Sequence, residues 1–344
     1  MSAGKPTSPP SAGRRRFLKW SLAAAAGAVS AGIAAPAIAQ RARVFRFGHM
    51  MQEETVYNHA IRMFADEANK RSQGKIKIDV YPASQLGSIA EMLSQTQAGS
   101  LTFTMAVPAW YSNLMKPIDV FTLPYIVSSN DRLRSALDGS LGKEIVRMGE
   151  PASLHVLGYW LIGGRHIVNK VRPVNKPADC EGIKLRVINS QVYIQTFRAL
   201  GASTVSLDPS ELYVALQQGV VDGFEYPLPD LVSFKLYEVS KYLSLDGHTT
   251  DFFINSINKG VWDGLPAEEK EIIAASMKTA MDWQWTEQPK EITSALEKLK
   301  TLMTVNEITP ENKKLFVEAT RPIYKQFEPS IGADFLQLAT KELS

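Results

Sequence analysis

Residues 44–107 read VFRFGHMMQEETVYNHAIRMFADEANKRSQGKIKIDVYPASQLGSIAEMLSQTQAGSLTFTMAV, and this stretch decides the fold. Val44-Phe45-Arg46-Phe47 alternates like a short strand. Val56, Ala60, Met63, Phe64 and Ala68 then recur at helical spacing, with Thr55 as the candidate cap and Ser72-Gln73-Gly74 as the stop. Ile76, Ile78 and Val80 mark a second strand, broken at Pro82. Residues 88–98 read as a second helix and 101–107 as a third strand. Strand, helix, strand, helix and strand within roughly sixty residues predict an α/β layer with parallel pairings.

Further along, residues 154–159, 163–169 and 184–187 are strand candidates. Residues 192–200 and 211–218 read as helices, stopped by Gly201 and Gly219, and 220–224 as a brief strand before Pro227. After Pro266 a single helical run extends over residues 267–302. Its Glu/Lys-laced face and its apolar spacing (Ile272, Ile273, Met277, Ala280, Trp283) suit a helix lying across a protein rather than buried in one domain.

The amino terminus reads as an address. Lys5, Arg14, Arg15, Arg16 and Lys19 precede an uncharged, Ala-rich stretch that ends in Ala37-Ile38-Ala39, an A-x-A cleavage pattern. Arg14-Arg15-Arg16-Phe17-Leu18-Lys19 resembles the twin-arginine export motif, so residues 1–39 are expected to be a Tat signal cleaved after Ala39. The alternative is a membrane anchor, since about 18 apolar residues can span a bilayer. Removing residues 1–39 removes five positive charges, and the 38 Lys and Arg fall to 33 against 35 Asp and Glu. The formal charge of +3 becomes −2, and the case for nucleic acid as a partner goes with it. The remaining length points to two domains. The single cysteine, Cys180, excludes an internal disulfide framework and a Cys-rich metal site.

Five blocks, in order, resemble the substrate-binding proteins of TRAP (tripartite ATP-independent periplasmic) transporters, DctP type. They are residues 72–76 running into Tyr81-Pro82-Ala83-Ser84-Gln85-Leu86-Gly87; Phe121-Thr122-Leu123-Pro124-Tyr125; Gly182-Ile183-Lys184-Leu185-Arg186-Val187; residues 210–225; and Tyr237-Glu238-Val239 with Lys241-Tyr242-Leu243. The resemblance implies a two-domain α/β clamshell with mixed sheets and a long helix crossing both domains. Residues 43–162 with 252–291 would form one domain, and 163–251 with 292–335 the other. It also implies a periplasmic monomer that captures a small organic acid and delivers it to the TRAP permease subunits in the membrane.

The resemblance names the site as well. Arg186, in the L-R-V strand, matches the arginine that pairs with the ligand carboxylate, and a guanidinium suits that task because its fixed fork of donors matches two carboxylate oxygens. Arg165, after Gly163-Gly164, matches a second arginine near the carboxylate, and Asn189 a polar ligand contact. Tyr226 stands where many relatives carry Asn. Pro209, Val107 and Met50 replace polar or aromatic residues of sialic-acid binders, which disfavours that ligand. His49, Trp110, Tyr111, Trp160 and Tyr226 fall in or beside pocket-lining segments, so the expected solute is a smaller acid, with an apolar or aromatic body or a sugar ring stacked on an aromatic. At least one of Trp110 and Trp160 is expected in the core instead.

Glu211 and Asp222 invite a reading as a catalytic pair, yet their segments match helix and strand ends of a non-catalytic family, and they are read as structural. No nucleophile elbow, phosphate loop, dinucleotide fingerprint or H-E-x-x-H occurs, and the five histidines lack metal-ligand spacing. No enzyme, cofactor or metal is therefore expected. A periplasmic enzyme acting on a carboxylic acid and a stand-alone ligand sensor remain the alternatives.

Overall fold

The computed structural model describes residues 42–344; the segment expected to be an export signal, residues 1–39, lies outside the described residues. The opening stretch folds as its pattern predicts. Strand β1 (Arg43–Gly48), helix α1 (Val56–Arg71), β2 (Ile76–Tyr81), α2 (Ile89–Ala98) and β3 (Phe103–Ala106) alternate, and β1 pairs in parallel with both β2 and β3. The Thr55 hydroxyl accepts from the Asn58 N–H to start α1. Ser88 and Glu91 form a reciprocal capping box on α2, and Gly99 at φ 79° ends it.

Short helices α3 (Pro108–Tyr111), α4 (Asn130–Asp138) and α5 (Ser140–Gly149) lead to β4 (Leu154–Asn169). Here the structure departs from the sequence reading: the two expected strands are one, continuous through three irregularities of register. One irregularity falls at Gly163, whose φ of 109° only glycine adopts readily. Next come β5 (Lys184–Val187), α6 (Gln191–Ala199), β6 (Ser203–Ser206), α7 (Leu212–Gln217), β7 (Gly223–Pro227) and α8 (Leu228–Ser233). Strand β7 begins three residues later than expected.

Strand β8 (Tyr242–Asn258), 17 residues long, is among the elements the sequence reading did not find, as are β6 and everything after residue 302. Then follow α9 (Lys259–Asp263), α10 (Ala267–Leu302), β9 (Thr304–Glu307), α11 (Pro310–Ile331) and α12 (Ala333–Leu343). None of the described helices is long and apolar enough to cross a membrane.

All nine strands among the described residues join one mixed sheet in the order β2-β1-β3-β8-β4-β7-β5-β6, with β9 on β8. The antiparallel pair β4–β8 is its spine. Each of these strands spans about 50 Å at ~3.3 Å per residue, so the parallel group β2-β1-β3 sits at one end of the pair and β7-β5-β6 at the other. Helix α10, 36 residues and about 54 Å long, runs along the same spine. Its amino-terminal half (Ile273, Met277, Ala280) joins the larger apolar cluster, and Ala295 and Leu299 join a smaller one around Phe224, Leu216 and Leu243. Between them, the buried amide of Gln284 exchanges hydrogen bonds with Leu161 N–H (2.9 Å) and C=O (2.7 Å), and Gln288 donates to Ile162 C=O at 3.1 Å. The middle of α10 is thus pinned to β4 beside the Gly163 irregularity.

Candidate functional site

A cleft opens where the two ends of the sheet meet, with about 340 Å³ of empty space, open solvent included. Its wall is apolar: Met50, Ile89, Val107, Trp110, Ile162, Ile188, Pro209 and Phe253. Four polar side chains interrupt it, namely Arg165, Arg186, Tyr226 and Asp230.

Arg186 projects from β5 and is fully buried. Its Nε and Nη2 both donate to the Leu207 carbonyl, at 2.9 and 2.7 Å, and Nη1 has no partner in the protein. One carbonyl therefore occupies the side edge of the fork, and the end edge is left free for two parallel hydrogen bonds. Burial lowers its pKa, as does the nearby Arg165 cation. A guanidinium starts so high that it stays charged.

Arg165, on β4, is equally buried but spoken for. Nε and Nη2 grip both carboxylate oxygens of Glu225 (Nη2–Oε1 2.9 Å), Nη2 also donates to the Glu225 carbonyl (3.1 Å), and Nη1 donates to Asp251 Oδ2 (3.0 Å). The guanidinium lies between the rings of Tyr193 and Tyr226, 5.6 and 5.5 Å from their centroids. Of its five N–H donors, one remains. Burial alone would lower its pKa, but Glu225, with Asp251 behind it, raises it instead. The register explains the grouping, since Arg165 stands opposite Pro227 on β7 and Thr249 on β8, next to both acids.

The network runs on. His248 Nε2 lies 3.4 Å from Glu225 Oε2 and its Nδ1 2.8 Å from Asp246 Oδ2. Burial opposes a charged imidazole, yet the two carboxylates raise its pKa to about 9. Asp251 is pushed up to about 6 and Asp230 to about 7, in both cases by burial, with Arg165 opposing.

Of the residues singled out in the sequence, Arg186, Arg165, Tyr226 and Trp110 meet in the cleft. Asn189 sits on an exposed bend beyond β5, and its neighbour Ile188 faces the cleft. His49 is packed edge-on against Phe47 and is neutral, burial having pushed its pKa down to about 3. Tyr111 is a core residue whose hydroxyl meets the Ile254 carbonyl (3.1 Å) and Ser256 Oγ (3.0 Å). Trp160 fills the core while Trp110 lines the cleft. Glu211 accepts from the Asp208 N–H at a turn, and Asp222 from the Lys184 N–H at a strand end. The sequence reading missed Asp230 and Asp251. Only the phase of β8 against β4 would have signalled Asp251.

The family described as bacterial extracellular solute-binding protein, family 7 (DctP), matches residues 47–330. This chain belongs to it. The C4-dicarboxylate-binding periplasmic protein DctP of Rhodobacter capsulatus is 30% identical over 90% of this chain and 93% of its own length. An uncharacterized Sinorhizobium fredii protein is 33% identical over 90% of this chain, and that match spans 57% of the longer relative. Among solved structures, the sugar acid binding protein DctPAm of Advenella mimigardefordensis, in complex with galactonate, superposes with a TM-score of 0.85 at 29% identity, covering 88% of this chain and 98% of that one. A succinate-bound TRAP periplasmic solute binding protein of Sulfurospirillum deleyianum gives 0.82 at 28% identity, covering 88% of this chain and 99% of that one. This chain is thus a TRAP-type solute-binding protein with the mixed α/β fold of its relatives.

Proposed function

We propose that this protein captures a small organic acid anion in the periplasm by closing on it, with Arg186 pairing to the carboxylate, and passes the loaded form to a TRAP permease. One observation supports this above the rest: a buried guanidinium whose end edge has no protein partner, at the head of an apolar cleft. A buried charge left half satisfied is costly, and an incoming carboxylate completes it. The names of the relatives agree in kind, since succinate and galactonate are both carboxylates. The two ends of the sheet, carried on residues 43–162 with 252–291 and 163–251 with 292–335, would be the lobes that close, with β4, β8 and α10 bending between them. The smaller apolar cluster falls within the second of these, while the larger one extends from the first into β5 and α6. Export by the Tat route with cleavage after Ala39, and action as a monomer, complete the reading.

Isothermal titration of Arg186→Ala tests it. Breaking a desolvated charge pair costs about 3–5 kcal/mol, so affinity for the acids that bind wild type should fall at least about a hundredfold. Affinity within a few-fold of wild type would overturn the carboxylate role.

A further inference from the structure

The apolar wall of the cleft is interrupted at one point by a carboxyl group for which the fold has no evident use. Asp230 stands in the first turn of α8, is 5% exposed, and faces the cleft beside Tyr226 and Phe253. Its Oδ1 is buried without a hydrogen-bond donor from the protein. A helix-capping role does not account for it, because no side-chain bond caps this six-residue helix. The nearest cation is already taken, since Arg165 spends its fork on Glu225 and Asp251. Tyr57 lies beside the carboxyl and accepts a hydrogen bond from Gln288 at 2.6 Å, which leaves the phenolic proton to serve one carboxyl oxygen. That arrangement accounts for half of the group. The other oxygen, Oδ1, has no donor in the protein, on a residue that lines the cleft.

We infer that Asp230 is a specificity-determining ligand contact, its Oδ1 accepting a hydrogen bond from a hydroxyl on an otherwise apolar acid whose carboxylate Arg186 holds. The inference rests on the carboxylate reading above and adds to it the second end of the ligand. A hydroxyl fits because it donates without bringing charge. A second carboxylate on the ligand would be repelled by Asp230, and an ammonium would meet the field of Arg165 and Arg186. A plain apolar tail would bring Oδ1 no donor, so the penalty on the buried acceptor would stand unrelieved. Val107, Ile162 and Phe253 offer nothing to a chain of further hydroxyls, so a ligand with a single hydroxyl is matched better than one with several.

The test is isothermal titration of wild type, Asp230→Ala, Asp230→Asn and Arg186→Ala. The probes are pentanoate, its 2-, 3-, 4- and 5-hydroxy derivatives, and glutarate, all with five carbons. The expected result is that at least one hydroxypentanoate binds wild type about tenfold or more tighter than pentanoate and glutarate do. Asp230→Ala should bring that ratio within about twofold. Asp230→Asn, which keeps an acceptor oxygen and the shape, should retain part of it, so that a loss confined to the alanine variant is not a folding defect. No preferred isomer in wild type, or a preference that survives in Asp230→Ala, would overturn the role of Asp230 while leaving that of Arg186 standing. Probes that bind equally well to Arg186→Ala, or fail to bind wild type at all, would overturn the carboxylate reading itself.

Discussion

Arg165 and Arg186 stand in the same cleft, both buried, and the protein treats them in opposite ways. Arg165 is enclosed by acids from the two strands beside it and keeps one free donor. Arg186 rests on a single backbone carbonyl, and its outer edge is unclaimed. The environments push the two pKa values apart, up for Arg165 and down for Arg186. A guanidinium that the fold has neutralised works as a bolt between strands. One that the fold has desolvated without a counter-ion is kept for something that arrives later. Residue type and burial alone would not separate these roles; the count of satisfied donors does.

The largest effect should come from breaking the bolt. Arg165→Met leaves Glu225 and Asp251 buried without their cation, and removing one partner of a buried pair typically costs about 3–5 kcal/mol. Its melting temperature should fall by many degrees, with a lower yield of folded protein. Arg186→Met does the reverse, removing a half-satisfied charge from an apo protein. Its melting temperature without ligand should match or exceed that of wild type, while titration calorimetry shows binding lost. If both variants melt alike, the two arginines do not differ in the way described. Arg186→Lys is a milder break, because one ammonium replaces the fork. Affinity should drop about tenfold to a hundredfold in titration, with the apo melting temperature close to that of wild type.

The contrast also shows what could be read beforehand. The α/β layer of residues 44–107 was legible because its strands alternate and its helices carry caps at Thr55 and Ser88, so local pattern and tertiary burial agree. The long helix, which has no side-chain cap, was legible from its spacing alone, since Ile273, Met277 and Ala280 are buried as their pattern predicts. Strand β8 was not, because Asp246, His248, Asp251, Asn255 and Asn258 interrupt the expected pattern and are nevertheless all buried. They are inside because partners on β4, β7 and α2, and on β8 itself, meet them, and no single segment announces that. Arg186 came from the family blocks. Asp230 lay in a run of prolines and leucines that reads as a loop, and only the packing of α8 against the cleft gave it a role.

Asp230 extends the comparison to acids and should give a smaller effect, visible in pH. Its folded pKa is about 7, raised by burial above that of the unfolded chain, and Arg165, Asp251 and Tyr57 are the charged or titratable groups around it. The folded state therefore binds the extra proton, and this group reduces stability progressively as pH rises from about 4 to 7. Glu225 has the opposite sign, its pKa lowered by Arg165 against burial, so its stabilisation is lost on acidification. Asp230→Asn should raise the unfolding free energy measured at pH 8, by at most about 4 kcal/mol. The gain should shrink to nothing near pH 4. A gain that is the same at both pH values would mean that Asp230 is not the group being titrated.

The smallest effect concerns the backbone between the two ends of the sheet. Gly163 holds a φ of 109° at a register irregularity of β4, and a Cβ there would lie 2.6 Å from Ile292 Cδ1. Gly163→Ala should cost about 1–2 kcal/mol, read as a fall in the urea midpoint. The steric part can be separated from the conformational part, because the clashing atom is the tip of a flexible side chain on α10. Ile292→Val removes that tip. If the double variant recovers all of the loss measured against Ile292→Val alone, the glycine is there for space. If it recovers only a fraction, the conformation itself is what β4 requires at the point where Gln284 and Gln288 pin α10 to it, and the irregularity belongs to the strand rather than to its neighbour.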